Sequence, residues 1–159
     1  MLQVCAIIVV MTATGHAIIG TVIAAKIGNP YLAIPIALLS HIAADAFPHW
    51  DTGTNKKKKS HSAFFAQSLL DLGLSFLLPY LLVITFFPDT NLVYLYVIVF
   101  AAQFFDWASV PYVFFNWKFP PFNWPYNFQI SFDNRLDKPW GIITQAAVLL
   151  FLVIFAIRI

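Results

Sequence analysis

The chain has no glutamate, a single cysteine and few charged residues, and each of these scarcities excludes a class of protein. Charged residues make up 10% of the 159 positions, and all seven acidic residues are aspartates. Soluble domains average about 25% charged residues, so this composition excludes an ordinary soluble domain. The lone cysteine, Cys5, excludes an internal disulfide and a thiolate metal cage. A net charge of +2 is too small to predict a nucleic-acid partner.

Apolar residues dominate what is present. Hydrophobic residues make up 60% of the chain and aromatic residues 18%, as is typical of integral membrane proteins. A membrane-spanning helix needs about 20 consecutive apolar residues. The apolar runs therefore predict one all-α polytopic membrane domain over residues 1–159, with about five hydrophobic helices. These helices are predicted at about residues 2–26, 30–47, 62–87, 91–115 and 139–158.

The start of the first helix has two alternatives. In one, the helix begins near residue 2 and spans the membrane. In the other, Met11 is the true start, residues 1–10 are an extension, and helix 1 runs only from about Thr14 to Lys26. Such a helix is too short to cross a bilayer upright, so helix 1 or helix 2 would be re-entrant or strongly tilted. Helix 2 is also short, and Pro35 can kink it.

The distribution of basic residues predicts the orientation in the membrane. Loops 48–61 and 116–138 contain most of the lysines and arginines, whereas the turn 88–91 contains none. The positive-inside bias places both loops in the cytoplasm and the turn outside an inner (plasma) membrane. Tetralysine 56–59 is expected to contact anionic lipid headgroups, so membrane lipids are predicted partners. An interfacial aromatic belt is predicted at Trp117, Trp124, Tyr126 and Trp140.

Two aspartates lie inside predicted membrane helices, where a charge costs about 2.5–3.5 kcal/mol. Asp71 lies ten positions after His61 on helix 3, and Asp106 lies nine positions before Phe115 on helix 4. At about 1.5 Å per residue, both carboxylates are roughly 15 Å from the same end of their helices. Two carboxylates at one depth repel each other unless a cation or a shared proton lies between them. Asp71 and Asp106 are therefore candidate metal ligands.

The segment SHIAADAFPHWD concentrates ionisable groups at the end of an apolar run. His41 and Asp45 are four residues apart on a helix, so both face one side and can bind one ion together. His49 and Asp51 follow a proline that ends the helix, and they belong to the next loop. This spacing predicts a metal or proton site.

Three further polar residues interrupt the apolar helices. His16 lies in the first helix, Gln67 lies close to Asp71, and Gln103 lies close to Asp106. The amides can orient a ligand side chain. A mixture of imidazole and carboxylate without thiolate favours Zn²⁺, with Mn²⁺ or Fe²⁺ as alternatives.

Each of these residues also has a purely structural interpretation. Polar residues such as His49, Asp51 and His61 are expected at a membrane interface. A lone histidine in a membrane helix commonly forms a hydrogen bond to a neighbouring helix. Asp71 can pair with a histidine as a structural bridge. The combination of His41-x-x-x-Asp45 with two aspartates at one depth is harder to explain in this way.

A set of motifs covers residues 11–71: Met-Thr-Ala-Thr-Gly-His at 11–16, Gly-Asn-Pro at 28–30, Ser-His-x-x-x-Asp at 40–45, Pro-His-x-Asp at 48–51 and Ser-His-Ser at 60–62. This set resembles the N-terminal half of the membrane-bound metal-dependent hydrolases of the YdjM type, which are inner-membrane proteins. The tetralysine stands where that family has a segment containing arginine and histidine. The His-x-x-x-Asp spacing is also similar to a ligand pair of zinc-dependent phospholipase C enzymes. The family positions that the resemblance implies are His16, His41, Asp45, His49, Asp51 and His61.

These observations lead to a hypothesis of a membrane-embedded metal-dependent hydrolase acting on an ester or phosphoester, with a lipid or lipid-linked substrate. Its predicted metal ligands are His16, His41, Asp45, Asp71 and Asp106. Its predicted acid–base residues are His49 and Asp51. Residues expected to orient ligands or contact substrate are His61, Ser62, Gln67 and Gln103. The alternatives are a cation- or proton-binding or transport protein, and a non-catalytic membrane protein with a structural polar cluster.

Overall fold

The computed structural model describes residues 12–55 and 58–159, and this part of the chain forms seven α-helices. They are α1 (Ala13–Lys26), α2 (Pro30–Ala46), α3 (His61–Phe86), α4 (Leu92–Ala102), α5 (Phe104–Phe115), α6 (Asn123–Ile130) and α7 (Trp140–Arg158). The described residues contain no strand, only an isolated bridge between His49 and Arg135. The predicted all-α class is confirmed. Cys5, Met11 and the predicted start of helix 1 near residue 2 lie outside the described residues.

The number of candidate membrane spans is smaller than the five predicted helices. Two helices, α3 and α7, are long and apolar enough to cross a membrane, and the bent pair α4–α5 makes a third if it counts as one span. Within the described residues α1 has 14 residues and α2 has 17, so neither reaches the length of a full span. A membrane protein is thus supported with two or three spans among the described residues.

Helices α1 and α2 form a short hairpin packed against α4. Thr12 caps α1 by accepting a hydrogen bond from the Gly15 amide, and Asn29 caps α2 through the Tyr31 amide. The core between these helices consists mainly of small and β-branched side chains: Ala17, Ala24, Ala33, Ala37, Leu95, Ile98, Val99 and Ala102. At Gly20 a Cβ would lie 3.0 Å from the Ala102 Cβ, so glycine permits the close approach of α1 and α4.

The two basic loops lie together at one end of the helices. The Asn55 side chain donates to the Asp137 carboxylate at 2.6 Å, which joins the loop before α3 to the loop before α7. At the other end, the Tyr94 hydroxyl donates to the Ile27 carbonyl, and Lys26 lies 5.3 Å from the centre of the Phe87 ring. The turn after α1 and the turn after α3 therefore share the end opposite to the basic loops.

The single helix predicted over 91–115 is interrupted at Gln103, where α4 and α5 meet at an angle of 55°. Gln103 has a non-helical backbone, and its side-chain amide donates to the Ala13 carbonyl at 2.9 Å. The break directs the neighbouring Ala102 carbonyl toward α2 instead of the next helical turn. A kink of this size has such a local cause, and here it places the Ala102 carbonyl against the His41 ring.

The segment 116–138, predicted as a cytoplasmic loop that contributes to an aromatic belt, contains the short helix α6. Trp117, Trp124 and Trp140 are exposed, in keeping with a belt. Tyr126 is only 4% exposed because its ring stacks on Tyr112 of α5 at 3.9 Å, so its assignment to the belt is wrong. The segment is therefore packed onto the helices, and this packing carries its last residues to the site described next.

Candidate metal centre

Four of the predicted metal ligands meet at one buried point, which we call the inner cluster: His16 of α1, His41 and Asp45 of α2, and Asp106 of α5. The His16 Nε2 lies 3.3 Å from one Asp45 oxygen, and the His41 Nε2 lies 3.3 Å from the other. The His41 Nε2 also lies 3.9 Å from an oxygen of Asp106. The predicted i, i+4 pair of His41 and Asp45 does face one side of its helix.

The tautomer of His41 follows from its hydrogen bond to the backbone. Its Nδ1 lies 2.7 Å from the Ala102 carbonyl oxygen, which can only accept, so Nδ1 carries a proton. In neutral imidazole Nε2 is then a bare lone pair, and it faces the carboxylates of Asp45 and Asp106. Two acceptors facing each other in a buried site require a proton or a cation between them.

His16 has no hydrogen-bond partner for either ring nitrogen among residues 12–55 and 58–159, although the residue is 1% exposed. Its ring stacks on His41 with centroids 3.8 Å apart and planes 11° from parallel. Two protonated imidazoles stacked at this distance would repel each other, so the pair holds at most one extra proton. A buried polar atom left without a partner costs about 1–3 kcal/mol. Within the described residues the His16 Nε2 thus has an ion-pair contact with Asp45 at 3.3 Å but no aligned hydrogen bond, and a cation beside it would complete its contacts.

The inner cluster fits a divalent metal ion. One ligand atom each from His16, His41 and Asp106 lie within 4.8 Å of one another. The donors are imidazole nitrogens and carboxylate oxygens, the set that suits Zn²⁺, Mn²⁺ or Fe²⁺. A ligating histidine commonly donates its other ring N–H to a backbone carbonyl, and His41 does so to Ala102.

Asp71, the fifth predicted ligand, instead caps the start of α1. Its carboxylate accepts hydrogen bonds from the Ala13 amide at 2.8 Å, from the Thr14 amide at 3.1 Å and from the Thr14 hydroxyl at 2.6 Å. The amides at a helix N-terminus have no partner within the helix and favour a negative charge. This contact fixes the first turn of α1, which presents His16 to the inner cluster.

We expect Asp71→Ala to lower stability while leaving bound metal unchanged. The substitution removes the acceptor of these hydrogen bonds, at a cost of about 2 kcal/mol. For a chain of this length that corresponds to a decrease in melting temperature of roughly 4–8 °C. Thermal unfolding and metal analysis of the purified variant in detergent check the two parts. Loss of bound metal from the folded variant would instead show that Asp71 is a ligand.

A second group of ionisable residues lies in the loops and is called the outer cluster: His49, Asp51, Asp133 and Arg135. The His49 Nε2 lies 3.5 Å from an Asp133 oxygen, and its Nδ1 donates to the Phe47 carbonyl at 2.7 Å. The Arg135 guanidinium lies 2.5 Å from Asp133 and 3.4 Å from Asp51. Ligand atoms of the two aspartates and His49 lie within 4.8 Å of one another, so this cluster can also hold a metal ion.

Backbone pairing holds the outer cluster next to the inner one. The His49 amide donates to the Asn134 carbonyl at 3.2 Å, and the Leu136 amide donates to the His49 carbonyl at 2.8 Å. The Asn134 amide donates to the carbonyl of Asp45 itself at 2.9 Å. The segment that carries Asp133 and Arg135 is thus fastened to the end of α2, directly beside an inner-cluster residue.

Asp51 is fixed by a local turn and by burial. One of its oxygens accepts from the Thr54 amide at 2.5 Å and from the Thr54 hydroxyl at 2.8 Å. Burial raises the pKa of Asp51 to about 7, although the charge of Arg135 and the Thr54 contacts act in the opposite direction. Burial also raises the pKa of Asp133 against the effect of Arg135. The turn and the arginine therefore orient both carboxylates, and burial withholds them from water.

The residues predicted to orient ligands or contact substrate are dispersed. Gln103 donates to the Ala13 carbonyl and accepts from the Trp107 indole at 3.1 Å, so it fastens the start of α1 to α5. Gln67 accepts from the Lys59 ammonium at 2.9 Å, and the Ser62 hydroxyl lies 3.2 Å from that of Ser60. Both lie outside the two clusters, whereas His61 lines a cavity described below.

Asp133 and Arg135 were given no site role from the sequence. Their signal was an acid and a base two positions apart in the segment SFDNRLD, because alternate residues of an extended segment face the same side. No family model, curated protein or solved structure matches the chain. The resemblance to YdjM-type hydrolases remains a prediction, and the function has to be inferred from the geometry of the clusters.

Proposed function

We propose that this protein is a membrane-embedded metal-dependent hydrolase that cleaves an ester or phosphoester bond in a lipid or lipid-linked substrate. One observation carries the proposal: His41 donates Nδ1–H to the Ala102 carbonyl and directs its Nε2 at the carboxylates of Asp45, 3.3 Å away, and Asp106, 3.9 Å away. His49 repeats the arrangement, with its Nδ1 on the Phe47 carbonyl and its Nε2 facing Asp133.

A proton on the His41 Nε2 is the competing explanation, and it makes the cluster a structural ion pair. Protonation accounts for His41 but leaves His16 with two buried nitrogens that lack hydrogen-bond partners among the described residues. A cation bound through one nitrogen of each imidazole and through Asp45 or Asp106 supplies a partner for the His41 Nε2 and for one of the two His16 nitrogens. The metal is therefore the simpler explanation of the inner cluster.

Each cluster has its own task in the proposed reaction. His16, His41, Asp45 and Asp106 hold the metal. A bound zinc ion supplies a Lewis acid that polarises an ester or phosphoryl oxygen and acidifies water. His49 and Asp51 are proton-transfer groups, held in place by the Phe47 carbonyl and by Thr54. Arg135 orients Asp51 and Asp133 and offsets their charge.

The packing below the inner cluster favours an enzyme over a transporter. The apolar core of α1, α2 and α4 lies between the cluster and the turn after α1, and it includes Ala17, Ala37, Leu95 and Ile98. These side chains are at most a few per cent exposed. A cation crossing from the inner cluster toward the turn after α1 would have to pass through this apolar layer, at a high cost in desolvation.

Metal analysis of the purified protein tests the proposal. We expect about one tightly bound divalent ion per chain in the inner cluster. Stripping the metal with a chelator should lower the free energy of unfolding by about 4 kcal/mol for an ion present at 1,000 times its dissociation constant. Hydrolysis of phosphomonoesters, phosphodiesters and phospholipids should stop with the same treatment and return with added zinc.

A histidine variant and a matched histidine control make the test specific. His41→Ala should lose the metal and the hydrolysis, whereas His61→Ala should retain the metal because His61 lies outside both clusters. A wild-type protein without metal, whose stability and hydrolysis do not respond to zinc, would refute the metallohydrolase. Metal bound without turnover of any of these esters would favour a cation-binding protein.

A further inference from the structure

A cavity of about 460 Å³ lies between the first half of α3 and α5. Apolar side chains form most of its wall: Phe64, Phe65, Leu69, Leu72, Val110, Val113 and Phe114. Its lining extends along α3 from His61 to Leu72, and these eleven steps of about 1.5 Å correspond to roughly 16 Å. The cavity is therefore long and mostly apolar, and it suits a hydrocarbon rather than a polar ligand.

The cavity opens sideways, through the surface of a helix that is apolar enough to span the membrane. Phe65 and Leu69 line it, and their side chains are 52% and 58% exposed. Both belong to α3, one of the two helices that meet the length and composition of a span. On such a helix, exposed apolar side chains face lipid hydrocarbon rather than water.

One wall of the cavity belongs to the inner cluster. Asp106 lines the cavity and also lies 3.9 Å from the His41 Nε2. Ser109 and Gln129 line the same cavity and form a buried hydrogen bond of 3.1 Å with each other. A molecule in the cavity would thus have hydrocarbon contacts along most of its length and a polar contact at Asp106.

We propose that this cavity binds one hydrocarbon chain of a membrane lipid, which enters from the bilayer between α3 and α5. The lipid's ester or phosphoester group then lies against Asp106, within reach of the inner cluster. Binding of the hydrocarbon chain is inferred from the cavity alone, whereas the position of the reacting bond rests on the proposed function. The lipid is a diacyl phospholipid in its simplest form, because such lipids supply both the chain and the ester.

The test uses a phospholipid with a photoactivatable diazirine in its acyl chain, added to the purified full-length protein in detergent. Cross-linked residues are mapped by mass spectrometry. Specific binding predicts labels within 64–72 and 106–114 that excess unmodified phospholipid competes away. Lipid that merely coats the helices would label exposed faces throughout, including α7, without saturation.

Three substitutions to tryptophan locate the binding. Val110→Trp fills the cavity, and Leu69→Trp narrows its mouth at a half-exposed position where repacking is not required. Leu77→Trp is the matched control, because Leu77 lies on α3 at 51% exposure outside the cavity lining. We expect about a tenfold loss of competable labelling in the first two variants and wild-type labelling in the control, a difference of about 1.4 kcal/mol.

The outcomes separate this inference from the proposed function. The proposed binding of a hydrocarbon chain in the cavity is overturned by either of two results. One is competable labelling that both Val110→Trp and Leu69→Trp leave unchanged, and the other is labelling that does not saturate. Labelling that is lost from the cavity while bound metal is retained supports it. If the wild-type protein binds the lipid in the cavity but contains no metal, the lipid-binding cavity is supported and the proposed hydrolase is refuted.

Discussion

Asp45→Asn is expected to remove the tightly bound metal from the protein and abolish hydrolysis. The Asp45 carboxylate has one oxygen 3.3 Å from the His16 Nε2 and the other 3.3 Å from the His41 Nε2, in a site that is 1% exposed. Asparagine keeps the shape of the side chain but lacks the negative charge that a divalent ion needs. Loss of a supporting residue typically reduces metal affinity by 10- to 100-fold, so loss of this ligand should exceed about 100-fold.

Metal content measured by mass spectrometry after dialysis, together with zinc titration, checks this prediction. Asp89→Asn is the matched control, because Asp89 lies in the exposed turn after α3 at the opposite end of the helices. The control should bind metal like the wild type. If Asp45→Asn instead retains the metal and merely melts at a lower temperature, Asp45 is a structural partner of the two histidines and not a ligand, and His16, His41 and Asp106 remain the candidate ligands.

The inner cluster could be predicted from the sequence because its signals are local. His41 and Asp45 share a helix face through the period of the α-helix alone. Asp106 was a candidate because an isolated carboxylate is costly inside an apolar helix. His16 was a further ionisable group in an apolar run, and the family resemblance also pointed to it. The structure brings all four together.

Asp71 shows where a depth calculation is insufficient. Asp71 and Asp106 line one cavity. The charge of Asp71, however, is compensated by the amides at the start of α1 and not by a shared ion. The described α1 begins at Ala13, close to the shorter of the two alternatives for helix 1, and only a helix start at this level offers free amides to Asp71.

The outer cluster depends on contacts that span about half of the chain, and sequence spacing cannot supply them. Asp133 and Arg135 reach His49 only because a loop after α6 pairs with the loop after α2. The same part of the fold contains the break at Gln103, which the apolar run 91–115 did not predict, and the packing of α6 against α5. Local periodicity contains no information about either.

Gly141→Ala is expected to disrupt this pairing and with it the outer cluster. A Cβ at position 141 would overlap the Leu136 carbonyl oxygen, and it would lie 2.8 Å from the Leu136 carbonyl carbon and 2.9 Å from the Trp50 nitrogen. All three are backbone atoms, so no side-chain rotation relieves the overlap. The Leu136 amide donates a hydrogen bond to the His49 carbonyl, and the Trp50 amide donates to the Gly141 carbonyl at 3.2 Å. A methyl group therefore pushes apart the loop after α2 and the loop before α7, which together hold the outer cluster.

Overpacking of this kind costs about 3 kcal/mol, which corresponds to a decrease in melting temperature of roughly 6–12 °C. Hydrolysis should fall with the displaced His49 and Asp51, while the inner cluster, built from α1, α2 and α5, should keep its metal. Gly73→Ala is the matched control, because a Cβ there meets no atom within 4 Å on the long helix α3. That substitution should leave stability unchanged or raise it by up to about 1 kcal/mol. Equal melting temperatures for the two variants would show that the paired loops tolerate the methyl group, and that Gly141 does not hold the outer cluster in place.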